Sequence, residues 1–297
     1  MARRSSRSLA ALLIALAVAA CSPPDGEGPT ASSLTPPPTP TSTPAATTLA
    51  PATSAATVTS TTGPVQDVDA VVGVPDGDGP FPAVVLVHGG GWVTGGPAIL
   101  APLATHLEEK GYLTVNTRYT LATFERGAFP DAVDDVACAV RYAANHPDGD
   151  GTVAIVGHSA GAHIGALVAL TGDAYGADCQ FPGSGLPERF VGLAGPYDVS
   201  RLEFAVAAFF GGGPEQFTDA WAAGNPQLLT DQNLDLRSLI LYGERDGIVP
   251  EGFSLDFYEA LSRTGSDSLL ELVEGARHNQ MHDPDLVGDL ILTWLDR

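Results

Sequence analysis

The sequence predicts an α/β fold, a mainly parallel sheet with helices on both faces, and three observations carry that prediction. Short β-branched runs alternate with longer helical stretches between Ala83 and Trp294, the order expected when each strand is followed by a crossover helix. A Gly157-His158-Ser159-Ala160-Gly161 turn falls between one such strand and one such helix. The chain of 297 residues is 44% hydrophobic and 16% charged, which supplies a sizeable core and excludes a wholly disordered chain.

Taken in order, the predicted strands are Ala83–Val87, Leu113–Thr117, Thr152–Val156, Phe190–Leu193, Leu239–Tyr242 and Leu269–Val273, each a short run rich in Val, Ile, Leu, Phe or Thr. Helices are predicted near Ile99–Lys110, Asp131–Asn145, Ala160–Leu170, Leu255–Thr264 and Asp285–Trp294. No internal repeat is visible. In open sheets of this kind the reactive residues gather on loops past the carboxyl ends of the strands. Four of those loops carry chemistry.

Residues 1–20 and 21–64 read differently. Arg3, Arg4 and Arg7 precede an apolar run of 12 residues, Leu9–Ala20, too short for a mature transmembrane helix. The pattern predicts a signal peptide. It ends Val18-Ala19-Ala20-Cys21, which resembles the bacterial lipoprotein box, and the resemblance implies diacylation of Cys21. Two acyl chains anchor a protein stably, so an exported protein on the extracytoplasmic face of the envelope is expected, touching membrane only through its lipid. From Ser22 to Pro64, 35 of 43 residues are Pro, Thr, Ser or Ala, which marks a linker. One globular domain is expected over 65–297.

Charge and cysteine count narrow the functions. Fourteen Lys plus Arg against 35 Asp plus Glu give a net charge of −21, which excludes a nucleic-acid surface held by counterion release. The three cysteines, Cys21, Cys138 and Cys179, are too scattered for a zinc site built on paired Cys spacings. Cys138 falls on a helix and Cys179 in the loop after another. An oxidising compartment would permit a bridge between them, and the sequence leaves bridged and free thiols both open.

The first chemistry-bearing loop is His88-Gly89-Gly90-Gly91-Trp92, after the strand ending at Val87. Consecutive glycines expose backbone N–H groups to a developing anion. A phosphate loop would continue with Lys-Ser or Lys-Thr, whereas Trp92 and Val93 stand here. The second is the 157–161 turn, a GxSxG pattern that presents Ser159 at a helix N-terminus. The N–H groups of Gly90, Gly91 and Ala160 are the predicted oxyanion hole. His88 is read as shaping its loop. The third, Gly243-Glu244-Arg245-Asp246-Gly247, offers Asp246 as the acid, with Glu244 and Asp198 as rivals. The fourth ends Gly275-Ala276-Arg277-His278, and His278 is the predicted base, favoured by loop placement over His282. Ser159, Asp246 and His278 follow at intervals of 87 and 32 residues, in the order serine, acid, histidine.

Together these residues resemble the α/β-hydrolase fold, in the carboxylesterase branch related to hormone-sensitive lipase and the small bacterial esterases with an HGGGW loop. Asn116–Ala122 and Phe129–Val136 are similar to the family's segments after the third strand and before the elbow strand. The resemblance implies hydrolysis of a small-molecule ester through an acyl-serine intermediate, without cofactor or metal. An amidase or formamidase on the same three residues, and a non-catalytic binding module on the same fold, are the alternatives. One departure matters: only 23 residues, Val65 to Val87, separate the linker from His88, so no N-terminal cap is expected to fit there. Any lid must come from 196–236, where Gly211–Gly213 before Pro214 reads as a helix stop. That predicts an open pocket for short acyl groups, similar in plan to formamidase-like and feruloyl or acetyl-xylan-type esterases.

Overall fold

The computed structural model describes residues 68–297, so the signal peptide, Cys21 and the linker reading lie outside the described residues. Seven strands form one sheet: β1 (Ala70–Gly73), β2 (Phe81–Val87), β3 (Leu113–Thr117), β4 (Gly149–His158), β5 (Arg189–Leu193), β6 (Arg237–Gly243) and β7 (Ser268–Val273). Their spatial order is β1-β3-β2-β4-β5-β6-β7, with β1 antiparallel to β3 and every other pairing parallel. The described residues form seven α-helices: α1 (Ala101–Glu108), α2 (Asp131–Ala144), α3 (Ala160–Thr171), α4 (Glu203–Phe210), α5 (Thr218–Ala223), α6 (Gly252–Thr264) and α7 (Pro284–Leu295).

Strand periodicity divides the core in two. Ala83, Val85 and Val87 of β2 point into one apolar cluster, with Leu113, Val115, Ile155 and Ile240, beneath α2, α3, α4 and α6. Val84 and Leu86, from the same strand, enter the opposite cluster with Val156, Leu193, Leu239 and Leu241, beneath α1 and α7. A residue period of two sends neighbours to opposite faces, so a continuous apolar run is what a doubly covered parallel strand requires.

Three differences from the predicted elements have physical reasons. β1 was not predicted, because four half-exposed edge residues carry no periodic signal and the pairing of Ala70–Gly73 with Thr114–Thr117 creates the strand. The helix expected at Ile99–Lys110 opens as a 3₁₀ turn, Pro97–Ile99, and becomes α-helical only from Ala101, with Pro102 in its first turn where no N–H is needed. The 196–236 stretch holds two short helices, α4 and α5. The first ends at Phe210 because Gly211 adopts a left-handed φ of 77°, in keeping with the helix-stop reading. Cys138 on α2 is bridged to Cys179, across a Cα–Cα distance of 5.5 Å. No helix among the described residues is long and apolar enough to cross a membrane.

Candidate active site

Ser159 sits at the turn between β4 and α3 with φ 54° and ψ −122°, a conformation that an L-residue adopts only under constraint. Its N–H donates to the Leu193 carbonyl at 2.9 Å, and its own carbonyl accepts from Ala162 and His163, at 2.9 and 3.1 Å. The turn closes only because Gly157 and Gly161 lack side chains. A Cβ on Gly157 would stand 2.7 Å from Ala162 Cα, and one on Gly161 would be 2.6 Å from the Val87 carbonyl carbon. The Ser159 hydroxyl does not cap α3. It is therefore free for another partner.

That partner is His278. Ser159 Oγ lies 2.8 Å from His278 Nε2, and His278 Nδ1 lies 2.7 Å from Asp246 Oδ2. A carboxylate only accepts, so Nδ1–H donates to Asp246 and Nε2 is left to receive the serine proton. Asp246 is itself fixed, its Oδ1 accepting from the N–H groups of Ile248 and Val249 at 2.8 and 2.9 Å. The side chains of His278 and Asp246 are 7% and 2% exposed, so their attraction is little screened by water. Three strand-end loops, after β4, β6 and β7, thus bring together residues far apart in sequence.

The glycine loop after β2 lies against this row. A Cβ on Gly89 would stand 3.1 Å from Ser159 Cβ and 2.8 Å from His158 Nδ1. Gly90 and Gly91 take φ 129° and 59°, the left-handed side that glycine tolerates, and nothing stands within 4 Å of where a Gly91 side chain would be. The Gly90 carbonyl is occupied by Val93 and Thr94 N–H at 3.3 and 3.2 Å. His88 stacks on Tyr119 with ring centroids 4.4 Å apart, while the Tyr119 hydroxyl donates to the His88 carbonyl at 3.0 Å. Burial lowers the His88 pKa. The ring's Nδ1 lies 2.7 Å from the Gly89 carbonyl oxygen, within the same loop. Ala160 opens α3, where helical geometry leaves the first N–H groups without partners inside the helix.

The rival residues have other work. Glu244 Oε2 accepts from Gly275 N–H at 2.8 Å, bracing the His278 loop from outside. Asp198 accepts from Ser200 and from Asn225 Nδ2, which stabilises a 3₁₀ turn. His282 packs against His158, 4.8 Å between centroids. Two groups escaped the sequence reading. His158 is buried, and its Nε2–H donates to the His278 carbonyl at 3.0 Å; burial holds its pKa well below the ordinary value. His163 receives the Trp92 indole N–H at 3.2 Å. Its spacing of four residues from Ser159 on α3 was the available signal. Among the described residues, no group of three or more His, Cys, Asp or Glu is placed to hold a metal ion.

A strand-turn-helix serine elbow at the carboxyl edge of a parallel sheet, with a histidine and an acid on later strand-end loops, defines an α/β-hydrolase. The chain belongs to the BD-FAE family, whose model matches residues 72–261, a span that includes the glycine loop, Ser159 and Asp246. Esterase LipC of Mycobacterium tuberculosis is 29% identical over 229 residues, 67% of this chain and 55% of that protein. The probable isoprenylcysteine α-carbonyl methylesterase ICMEL1 of Arabidopsis thaliana is 26% identical over 230 residues, 68% of this chain and 46% of its own length. The chain thus spans about half the length of these curated relatives. Among solved structures, esterase 2 of Thermogutta terrifontis, phosphoramylated by tabun, superposes with a TM-score of 0.62 at 22% identity, covering 75% of this chain and 88% of that one. At that identity the likeness concerns the fold.

Proposed function

We propose that the protein is a serine carboxylesterase acting on short-acyl esters, and the observation that carries this is the continuous row from Ser159 Oγ through His278 to Asp246. Ser159 Oγ attacks the ester carbonyl carbon as its proton passes to His278 Nε2. The carbonyl oxygen becomes an anion, met by the N–H groups of Gly90, Gly91 and Ala160; such donors typically contribute about 3 to 4 kcal/mol each. His278 then gives the proton to the departing alkoxide, the carbon–oxygen bond breaks, and an acyl-Ser159 remains. Water attacks that ester, losing a proton to His278, and collapse frees the acid while the proton returns to Ser159. Asp246 keeps Nδ1 protonated throughout and stabilises the imidazolium while it exists. The esterase names of the sequence relatives support the same reaction.

Short acyl groups are favoured because, among the described residues, the stretch open to form a cap holds only α4 and α5, of eight and six residues. The Cys138–Cys179 bridge suits an oxidising compartment, and with the Arg-led apolar run before Cys21 it supports export and tethering through a lipidated Cys21. Mass analysis of Cys21 in membrane-purified protein tests the tether: an unmodified cysteine defeats it. For the reaction, S159A should lower turnover of p-nitrophenyl acetate by several orders of magnitude with unchanged circular dichroism, and a fluorophosphonate probe should label the unsubstituted protein at Ser159. A variant that keeps most of the turnover, or an inert Ser159, overturns the assignment. Running p-nitrophenyl esters of increasing chain length beside an aryl formamide and acetylated xylan measures acyl size and leaving group together.

A further inference from the structure

Trp92 follows three glycines and yet is itself in the left-handed region, with φ 63°. A bulky residue does not hold that conformation unless its surroundings fix it. The surroundings do so at both ends. Its carbonyl accepts from Ala122 N–H at 2.9 Å, and its indole Nε1–H donates to His163 Nδ1 at 3.2 Å. Its ring also leans on Phe209 of α4, 5.9 Å between centroids.

His163 is fully buried and lies four residues after Ser159 on α3, so one rigid helix carries both. Its second nitrogen, Nε2, meets the Gly224 carbonyl at 2.9 Å, just beyond α5. A carbonyl only accepts, so Nε2 bears the hydrogen and Nδ1 is left as an acceptor for the indole. The Phe209 ring packs edge-on against the imidazole, at 5.4 Å and 84°. Burial pushes the His163 pKa down to about 4, which keeps the ring neutral and its accepting nitrogen open at neutral pH.

We propose that His163 is a positioning residue for the oxyanion loop: by receiving the Trp92 indole N–H it holds Gly90 and Gly91 in the conformation that presents their N–H groups beside Ser159. The role rests on the esterase reading and deepens it. One helix then fixes the nucleophile and, through a single hydrogen bond, the donors that stabilise the charge that nucleophile creates. The helices α4 and α5 are drawn into the same unit through Phe209 and Gly224. A histidine that merely filled the core would need its volume but not an acceptor at Nδ1.

Two substitutions separate the halves of the relay. H163N places an acceptor where Nδ1 stands and gives up the bond to Gly224; H163Q places a donor where Nε2 stands and gives up the acceptor for Trp92. W92F removes the indole donor. With p-nitrophenyl acetate, H163Q and W92F should lose ten- to a hundredfold in kcat with KM changed less than threefold, and their double variant should lose no more than either. Inhibition by a trifluoromethyl ketone, which forms the oxyanion on Ser159, should weaken by the factor lost in kcat, and H163N should recover most of both. Equal losses in H163N and H163Q, additive losses in the double variant, or lost kcat with unchanged ketone affinity would overturn the positioning role. If H163Q does not fold, the W92F and H163N pair makes the same comparison. An unsubstituted protein that neither turns over ester nor binds the ketone overturns the esterase reading and this role together, whereas an active protein unaffected by W92F and H163Q removes the role alone.

Discussion

Two histidines of this molecule stand in similar three-group rows and differ in what the rows can do. His278 joins Ser159 Oγ to Asp246, and His163 joins the Trp92 indole to the Gly224 carbonyl. Both are buried, and both have one nitrogen pinned as a donor so that the other must accept. Each row crosses between separate loops. The difference lies at the ends. His278 accepts from a hydroxyl that can surrender its proton and is backed by a carboxylate able to stabilise the resulting imidazolium. His163 accepts from an indole that keeps its proton and is backed by a neutral carbonyl. An imidazole is therefore a proton carrier or a structural clamp according to the group behind it.

The sharpest way to break this comparison is to make the first row resemble the second. Replacing Asp246 by Asn substitutes a neutral amide for the carboxylate at nearly constant volume, which permits the wrong imidazole tautomer. D246N should cost roughly three to four orders of magnitude in kcat with ester substrates, far more than any change at His163. Steady-state kinetics with circular dichroism as a fold check reads the effect. A loss below tenfold would mean that the carboxylate is not what distinguishes the rows.

Removing the Cys138–Cys179 bridge sharpens the comparison from the stability side. The bridge spans a separation of 41 residues and ties α2 to the loop before β5, and neither cysteine belongs to either row. Loop-closure entropy puts its contribution at about 4 kcal/mol, which for a domain of this size corresponds to a melting temperature lowered by roughly 10 °C. The C138S/C179S variant should show that fall by calorimetry while kcat at 25 °C stays unchanged. Should kcat fall with it, lost stability alone lowers turnover, and the losses expected at His163 need a different control.

The chemistry of the first row was legible in sequence, and that of the second was not, for a physical reason. Strand-end loops announce themselves: Gly157 and Gly161 are required by backbone contact, and the serine, acid and histidine each follow a short run rich in Val, Ile or Leu. Loop position then singled out His278 from His282, while the expected order of serine, acid and histidine was the ground for Asp246. The strands β2 to β6 were equally plain, because a strand covered on both faces is largely apolar, and the partly exposed edge strand β7 still showed itself through Leu269, Leu270 and Leu272. His163 sits instead in the apolar helix Ala160–Thr171, where one buried histidine looks like any other until Trp92 and Gly224 are seen on either side. β1 escaped for a related reason, since an edge strand is made by its partner. The helices α4 and α5 were foreseen only as a region with a stop at Gly211.

Acid titration distinguishes the rows by the smallest of these effects. Burial lowers the pKa of His163 to about 4 and holds His158 well below 6.5. In the unfolded chain both rings titrate near 6.5, so between about pH 6.5 and 4 the unfolded state binds more protons than the folded one. Stability is therefore complete above pH 6.5 and declines as pH falls through that window. The fully buried His163 alone accounts for a loss on the order of 3 kcal/mol by pH 4. Carboxylates also take up protons there, but they do so equally in H163N, which has no imidazole to titrate at this site. Urea unfolding at pH 7 and pH 4 should show H163N losing less stability over the interval than the unsubstituted protein, by that same order. Equal losses would mean that the 163 ring is solvated well enough to charge within the folded state, and the indole would then face a cation in place of an accepting nitrogen.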